Sequence, residues 1–150
     1  MQNLTFVRFA AEHLPLYIGW YDDAETQRWM ALPDERWFKY VTTSPGNFAW
    51  MVYEGETAIG QAQVGWYEED ASQASLAIVT APGYRRQGYG SRLLRALLGQ
   101  PELADVARFH AFVEPDNHAS LRLVENVGFQ LASAQPDEEG FLKYTYTPNV

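Results

Sequence analysis

The segment from Arg85 to Gly90, Arg-Arg-Gln-Gly-Tyr-Gly, has the residue types and the spacing to bind an anion. It follows the strand pattern of Ser75 to Thr80 and precedes a helical pattern, so its backbone N–H groups lie where a helix has no internal acceptor for them. Glycines at 88 and 90 let a phosphate approach the backbone without meeting a Cβ atom. The helix dipole favours negative charge, and Arg85 or Arg86 can add charge-assisted hydrogen bonds. The segment therefore predicts a pyrophosphate site.

Two other phosphate-binding motifs do not fit these residues. A dinucleotide-binding fingerprint needs a third glycine where Leu93 stands, and a P-loop needs a Gly-Lys-Ser/Thr ending that the chain lacks. A purely structural role stays open at this point, in which the glycines let a strand turn into a helix and the arginines are solvated.

The composition limits the other kinds of chemistry. The 150 residues include no cysteine, and the three histidines lack metal-ligand spacing, so we expect neither thiol nor metal chemistry. The net charge of −8 disfavours nucleic acid and favours cationic partners, although a plain role in solubility explains it equally well. No apolar run approaches the roughly 18 residues that span a bilayer, and no signal-like segment opens the chain. We expect a soluble, cytoplasmic protein with no membrane partner.

The elements that must position the anion site follow from hydrophobic periodicity and turn residues. We expect one domain over residues 1–150. Asp22 or Asp23 and Asp34 are predicted helix N-caps. The predicted order is β-α-α-β-β-β-α-β-α-β-β, in which the three short helical segments after the first strand count as two. This order indicates an α/β domain with a mixed, mostly antiparallel sheet of six to seven strands and about four helices. Strands are predicted at 4–9, 48–53, 57–67, 75–80, 108–113, 129–134 and 141–147, and helices at 12–21, 23–30, 34–43, 88–98 and 117–127.

Two stretches of the chain resemble the GNAT superfamily of acetyltransferases. Arg85 to Gly90, after a strand and a proline, matches position by position the family's motif A, Gln/Arg-x-x-Gly-x-Gly/Ala. Asn117 to Phe129 is similar to motif B, an Asn that opens a helix ending in Gly-Phe. The resemblance is specific over about 76–129. Residues 14–30 look like the branch that contains ribosomal-protein N-terminal acetyltransferases and aminoglycoside 6′-acetyltransferases.

The resemblance implies a single-domain GNAT fold and an activity. The chain would be an acyl-CoA N-acetyltransferase that uses acetyl-CoA as co-substrate and needs no metal. Its acceptor would be a primary amine on a peptide N-terminus, an aminoglycoside or a small amine, and the amine would attack the thioester directly. The acceptor's identity and the oligomeric state, a homodimer included, stay open.

The resemblance also implies which residues contact CoA. The pantetheine arm would pair with the backbone of Ile78, Val79 and Thr80. The next strand, ending near Val113, would splay away from Thr80 and open a wedge for the thioester. Asn117 would contact the CoA arm, alone or while it also caps its helix. The pyrophosphate would lie on the backbone amides of Arg86, Gln87, Gly88, Tyr89, Gly90 and Ser91.

The catalytic groups are indicated less sharply. Many family members have a motif B Tyr that protonates the leaving thiolate, but Val124 stands at that position here. Ser120 is the candidate replacement, because the ribosomal-protein-modifying branch has a Ser near the sulfur at this position; the thiolate could also leave unaided. Glu68 and Glu114 are the candidate general bases, with a water chain as the alternative. A backbone N–H near Val79 or Thr80 would stabilise the oxyanion.

Two further interpretations stay open. Val124 and the lack of a carboxylate in the strand before motif A are consistent with a CoA-binding domain that has lost catalysis and serves regulation or interaction. A plain nucleotide-binding module is the other, although it leaves motif B unexplained. A group of aromatic residues either lines an acceptor pocket or packs in the core, and core packing is the stronger expectation. The group consists of Trp20, Tyr21, Trp29, Trp37 and Trp66.

Overall fold

Alternating apolar residues form the strands of one seven-stranded sheet in the computed structural model, which describes residues 3–148. The sheet order is β1-β2-β3-β4-β5-β7-β6, and every neighbouring pair is antiparallel except the parallel pair β4–β5. The strands are β1 (Leu4–Arg8), β2 (Asn47–Glu54), β3 (Thr57–Trp66), β4 (Gln73–Thr80), β5 (Arg108–Val113), β6 (Gln130–Leu131) and β7 (Leu142–Tyr146).

Five α-helices accompany the sheet: α1 (Leu14–Gly19), α2 (Ala24–Trp29), α3 (Glu35–Thr43), α4 (Tyr89–Leu98) and α5 (His118–Val127). The predicted α/β class and mixed, mostly antiparallel sheet are confirmed. The three helical segments predicted between β1 and β2, which the predicted order counted as two, are separate helices, and two of them start at a predicted aspartate cap. Asp23 accepts a hydrogen bond from the N–H of Thr26, and Asp34 accepts one from the N–H of Trp37. Strand β6 is shorter than predicted and ends at Leu131.

Both faces of the sheet are buried, because helices cover each of them. On β2, Trp50 and Val52 belong to the core under α4 and α5, whereas Ala49 and Met51 belong to the core under α1 and α3. Side chains alternate between the two faces of β2, so this strand contributes residues to two apolar clusters, one on each face of the sheet. Within residues 3–148, no helix combines the length and the apolar character that crossing a membrane requires.

Helix α4 lies unusually close to β3 at Gly60. A Cβ atom built on this glycine would come within 2.3 Å of the Leu93 side chain and 3.0 Å of the Val79 carbonyl oxygen. A larger residue at this position would force the Leu93 side chain to move and would crowd the Val79 carbonyl. Gly60 therefore helps to set the height of α4 above β3 and β4.

Strands β4 and β5 pair over only three residues each. Gln73, Ala74 and Ser75 pair with residues 108–110, and the two strands then separate. Backbone hydrogen bonds fix which peptide groups face the gap: the Ala81 N–H donates to Ile59 of β3, and the Ser72 carbonyl accepts from Arg108 on the other side. Since peptide groups alternate along a strand, those of Ile78 and Thr80 point into the gap. The Val79 peptide faces β3 instead.

Candidate active site

The gap between β4 and β5 opens into a cleft of about 460 Å³. Its walls are residues 76–80 of β4, residues 111–114 at the end of β5, the first turns of α4 and α5, and residues of α2. The volume lies in the range of small-molecule sites. The splayed strands expected from the family resemblance are therefore present, and they form the cleft.

The anion-binding segment, residues 85–91, borders this cleft and is called the cradle below. Within residues 3–148, Arg86 is the one non-glycine residue with a positive φ, at 61°, and Gly88 follows with a φ of 83°. Turns that contain left-handed residues can direct successive N–H groups toward one point, where an anion binds. Gly88 is the N-cap of α4 and provides no side-chain cap, so the first amides of α4 stay available. These features fit a pyrophosphate group.

The two arginines of the cradle differ in what they contact. The Arg85 guanidinium hydrogen-bonds the Asp23 carboxylate at 2.6 Å and the Thr26 hydroxyl, and its Nε lies 3.5 Å from Glu25. The Arg85 hydrogen bond is the main reason that the pKa of Asp23 is lowered to about 2. The Arg86 guanidinium contacts Glu25 at 3.0 Å and is 79% exposed. The Arg85 side chain thus fastens α2 to the cradle, and both Arg85 and Arg86 line the cleft.

Two other cradle residues turn their side chains elsewhere. Gln87 donates its side-chain N–H to the Gly83 carbonyl at 3.0 Å, and the Tyr89 hydroxyl donates to Glu54 at 2.5 Å. The hydrogen bond to Glu54 raises the pKa of Tyr89. Neither Gln87 nor Tyr89 is among the residues that line the cleft. Their contribution to an anion site is accordingly limited to backbone N–H groups.

The first turn of α5 forms the opposite wall. The Asn117 side chain accepts a hydrogen bond from the Ser120 N–H at 3.3 Å, so it caps α5 while it lines the cleft. Ser120 is half-buried and also lines the cleft. Val124, one turn further along, is only 5% exposed and belongs to the core under α4 and α5. Val124 also lines the cleft, so an apolar residue stands at the position where the family resemblance implies a tyrosine.

Two carboxylates, those of Glu25 and Glu114, line the cleft. Glu114 follows β5, as the sequence indicated. Glu68 is exposed in the turn between β3 and β4 and is not among the lining residues. Among residues 3–148, no group of three or more His, Cys, Asp or Glu side chains could hold a metal ion.

Helix α2 and its C-cap residue Met30 supply a wall of which the sequence indicated only Trp29, as one of two alternatives. Glu25, Thr26, Trp29 and Met30 line the cleft. The other four aromatic residues considered for the acceptor pocket pack in the two cores: Trp20, Tyr21 and Trp37 under α1 and α3, and Trp66 under α4 and α5. The Asp23 cap could have located α2 along the chain. Its attachment to Arg85, 62 positions later, leaves no local signal.

The sequence and the fold were compared with those of known proteins. The acetyltransferase (GNAT) domain model matches residues 3–130. The uncharacterized N-acetyltransferase YfmK of Bacillus subtilis (strain 168) is 32% identical over 126 residues, which cover 82% of each chain.

Solved structures share the fold. The aminoglycoside acetyltransferase AAC(6′)-Ib in complex with coenzyme A has a TM-score of 0.81 at 20% identity, over 97% of this chain and 95% of its own. The spermidine N-acetyltransferase of Vibrio cholerae in complex with CoA and spermine has a TM-score of 0.82 at 14% identity, over 97% and 95%. The family model and the YfmK match place this chain in the GNAT acetyltransferase family, the acyl-CoA N-acetyltransferases whose acyl donor is acetyl-CoA.

Proposed function

We propose that this protein transfers the acetyl group of acetyl-CoA to a primary amine by direct attack. The observation that carries this proposal is the cradle, which borders the cleft between β4 and β5. The left-handed backbone of Arg86 and Gly88 and the uncapped start of α4 support a pyrophosphate site, because the first N–H groups of α4 have no partner within the helix. The free peptide edge of β4 continues from that point into the cleft.

The remaining CoA contacts follow the same wall. The pantetheine arm pairs with the peptide groups of Ile78 and Thr80, which point into the cleft, while the neighbouring Val79 packs behind them. The pyrophosphate accepts hydrogen bonds from the amides of residues 86–91. Asn117 contacts the arm from α5, and its capping bond to Ser120 holds it in place.

The chemical step needs an unprotonated amine and a leaving thiolate. The amine nitrogen bonds to the thioester carbon, the C–S bond then breaks, and the ammonium proton passes to a base. Glu114 accepts that proton, directly or through water, because it lines the cleft at the end of β5. Ser120 passes a proton to the sulfur and regains one from water, and the Thr80 N–H stabilises the oxyanion. Val124 has no ionisable group and takes no part in proton transfer.

The acceptor is an amine on a peptide N-terminus, an aminoglycoside or a polyamine. Two structural neighbours support this range, since one is an aminoglycoside acetyltransferase and the other binds spermine. The net charge of −8 favours a cationic acceptor.

A panel assay tests the activity. Release of free CoA from acetyl-CoA is measured with amines of all three kinds, and the acetylated product is identified by mass. Turnover with at least one amine is expected. Tight CoA binding with no turnover on any amine would instead favour a non-catalytic CoA-binding domain, the second candidate, which Val124 at the usual acid position motivates.

The cradle itself is tested with Gly88→Glu. The new carboxylate would repel the pyrophosphate, so we expect CoA binding in calorimetry to fall below detection. Gly140→Glu is the matched control, because Gly140 also has a positive φ, of 91°, and open space around its Cβ position, but does not line the cleft. Normal CoA affinity in Gly88→Glu would refute the cradle, and its loss in both variants would point to misfolding.

A further inference from the structure

Glu25 connects the cradle to the α2 wall of the cleft. It is one of the two carboxylates that line the cleft, and it belongs to the first turn of α2. Its carboxylate contacts the guanidinium of Arg86 at 3.0 Å and that of Arg85 at 3.5 Å. A carboxylate that could attract an ammonium group is thus occupied by cations from the cradle.

Arg86 belongs to the cradle and to this ion pair at once. Its backbone has a φ of 61° in the turn that precedes α4, while its side chain reaches back to Glu25 of α2. The guanidinium is 79% exposed and Glu25 is 38% exposed. Ion pairs in water at this level of exposure are weak. A phosphate close to the Arg86 backbone would compete with Glu25 for the same guanidinium, and arginine binds phosphate strongly.

Arg85 provides the contrast. Its side chain is only 19% exposed, and it holds Asp23 at 2.6 Å as well as the Thr26 hydroxyl. These contacts keep α2 attached to the cradle whatever Arg86 does. The neighbouring arginines therefore have separate roles, a fixed attachment at Arg85 and an exchangeable contact at Arg86.

We propose that Arg86 exchanges Glu25 for the pyrophosphate when CoA binds, and that Glu25, which then keeps only the longer contact to Arg85, binds the ammonium group of the acceptor. This rests on the proposed function. It makes Glu25 a specificity-determining residue that acts once the co-substrate is bound. Because the exchange moves one side chain and leaves Arg85 in place, it couples the two substrates without a movement of α2.

Calorimetric titration with CoA tests the exchange in four proteins: the unaltered chain, Glu25→Gln, Arg86→Ala and the double variant. Glu25→Gln removes the competitor, so CoA binding should tighten about threefold. Arg86→Ala removes a charged hydrogen bond to phosphate and should weaken binding about tenfold. The double variant should match Arg86→Ala, because Glu25 competes only through Arg86.

Two controls separate the exchange from a general charge effect. Glu35→Gln removes the same charge from the first turn of α3, outside the cleft lining, and should leave CoA affinity unchanged. Pantetheine, which lacks the pyrophosphate, should bind all four proteins equally. The exchange is refuted if Glu25→Gln leaves CoA affinity unchanged or weakens it. It is also refuted if Glu25→Gln tightens CoA binding by the same factor when Arg86 has been replaced by Ala. A third refuting result is that Glu35→Gln tightens CoA binding as much as Glu25→Gln does.

The second part of the proposal, that Glu25 binds the ammonium group of the acceptor, is tested by steady-state kinetics. The substrate is an amine that the enzyme acetylates in the panel assay. Glu25→Gln should raise the KM for that amine about tenfold and leave kcat nearly unchanged, since Glu25 binds the acceptor and transfers no proton. An unchanged KM for the amine would overturn this half. Absence of CoA binding or turnover in the unaltered chain would count against the proposed function instead.

Discussion

Asp23 contacts two elements at once, α2 and the cradle, through a single half-buried carboxylate. It caps α2 through the Thr26 N–H, and it accepts a hydrogen bond from Arg85 in the cradle. The Arg85 contact favours the charged form, which is why the pKa lies at about 2 instead of 3.8. A group whose pKa is lower in the folded state stabilises the fold above its unfolded pKa and loses that effect as the pH falls toward its folded pKa.

Asp23→Asn should therefore destabilise the protein in a pH-dependent way. Asparagine caps a helix as well as aspartate does, so the change removes mainly the charge that pairs with Arg85. We expect a lower urea midpoint than the unaltered chain at pH 7, and a difference that narrows as the pH falls from about 4 to about 2. Asp34→Asn, at the cap of α3, is the control and should differ little at any pH. A constant difference for Asp23→Asn down to pH 3 would contradict the charge explanation.

Ser120→Ala tests the proposed proton donor. The hydroxyl would act only on the leaving thiolate, so we expect kcat to fall by about 10²-fold with little change in the KM for acetyl-CoA. Ser133→Ala is the control, because Ser133 is exposed beyond β6 and does not line the cleft. Turnover at the level of the unaltered chain would remove Ser120 from the mechanism.

The packing of helix α4 on the sheet depends on Gly60 of β3, which has no side chain. The contact of Leu93 with Gly60 sets how close the helix lies to β3, and its N-terminal turn carries the cradle. The packing of α4 at Gly60 and the position of the anion site are therefore linked, because both belong to α4.

Gly60→Ala should destabilise the fold by about 1–3 kcal/mol, the usual result of adding a methyl group to a packed core. Guanidinium denaturation measures the loss. Gly19→Ala is the matched control, since Gly19 is helical, at φ −60° and ψ −27°, and has no atom within 4 Å of its Cβ position. It should be neutral or slightly stabilising. Equal stability of Gly60→Ala and the unaltered chain would show that α4 can shift at no cost.

The elements were predictable where local patterns determine them. The alternating residues of β2 and β3 and the leucine stripe of α4 indicate their structure within a few neighbours. The turn between β4 and α4 was also predictable, because glycines at 88 and 90 favour a turn at the start of a helix; its anion-binding role stays a prediction. Of the α2 wall, only Trp29 was a candidate. Trp20 and Trp29 are both tryptophans in the helical region between β1 and β2, so residue type does not distinguish them. The packing of the folded chain places Trp20 in the core and Trp29 on the wall of the cleft.

At the scale of the whole molecule, the two apolar clusters share one sheet. Neighbouring residues of β2 belong to different clusters, so neither cluster can lose its packing while the other keeps its own. This supports the proposal that residues 1–150 form a single cooperative domain. Binding of CoA to the folded form alone should then raise the stability of the entire chain.

A thermal unfolding experiment combines both expectations. Tryptophan fluorescence and far-UV circular dichroism should report one coincident transition. CoA at about one hundred times its Kd adds about 2.7 kcal/mol of stability, which corresponds to a Tm increase of about 5–10 °C for a chain of this size. Gly88→Glu should give the same single transition with no increase. Separate transitions for the two probes would show that the clusters unfold independently.

The early separation of β4 and β5 has a consequence for solvent exchange and for aggregation. After residue 75, two strand edges lie in the middle of the sheet, where their amides can exchange with deuterium although the strands around them are buried. Open edges usually invite pairing with other chains. Here α4 and α5 flank the opening, so a thin ligand can enter but a second sheet cannot. The amides of Ile78 and Thr80 should therefore exchange quickly in the free protein and slowly with CoA, which makes them a site-specific reporter of occupancy.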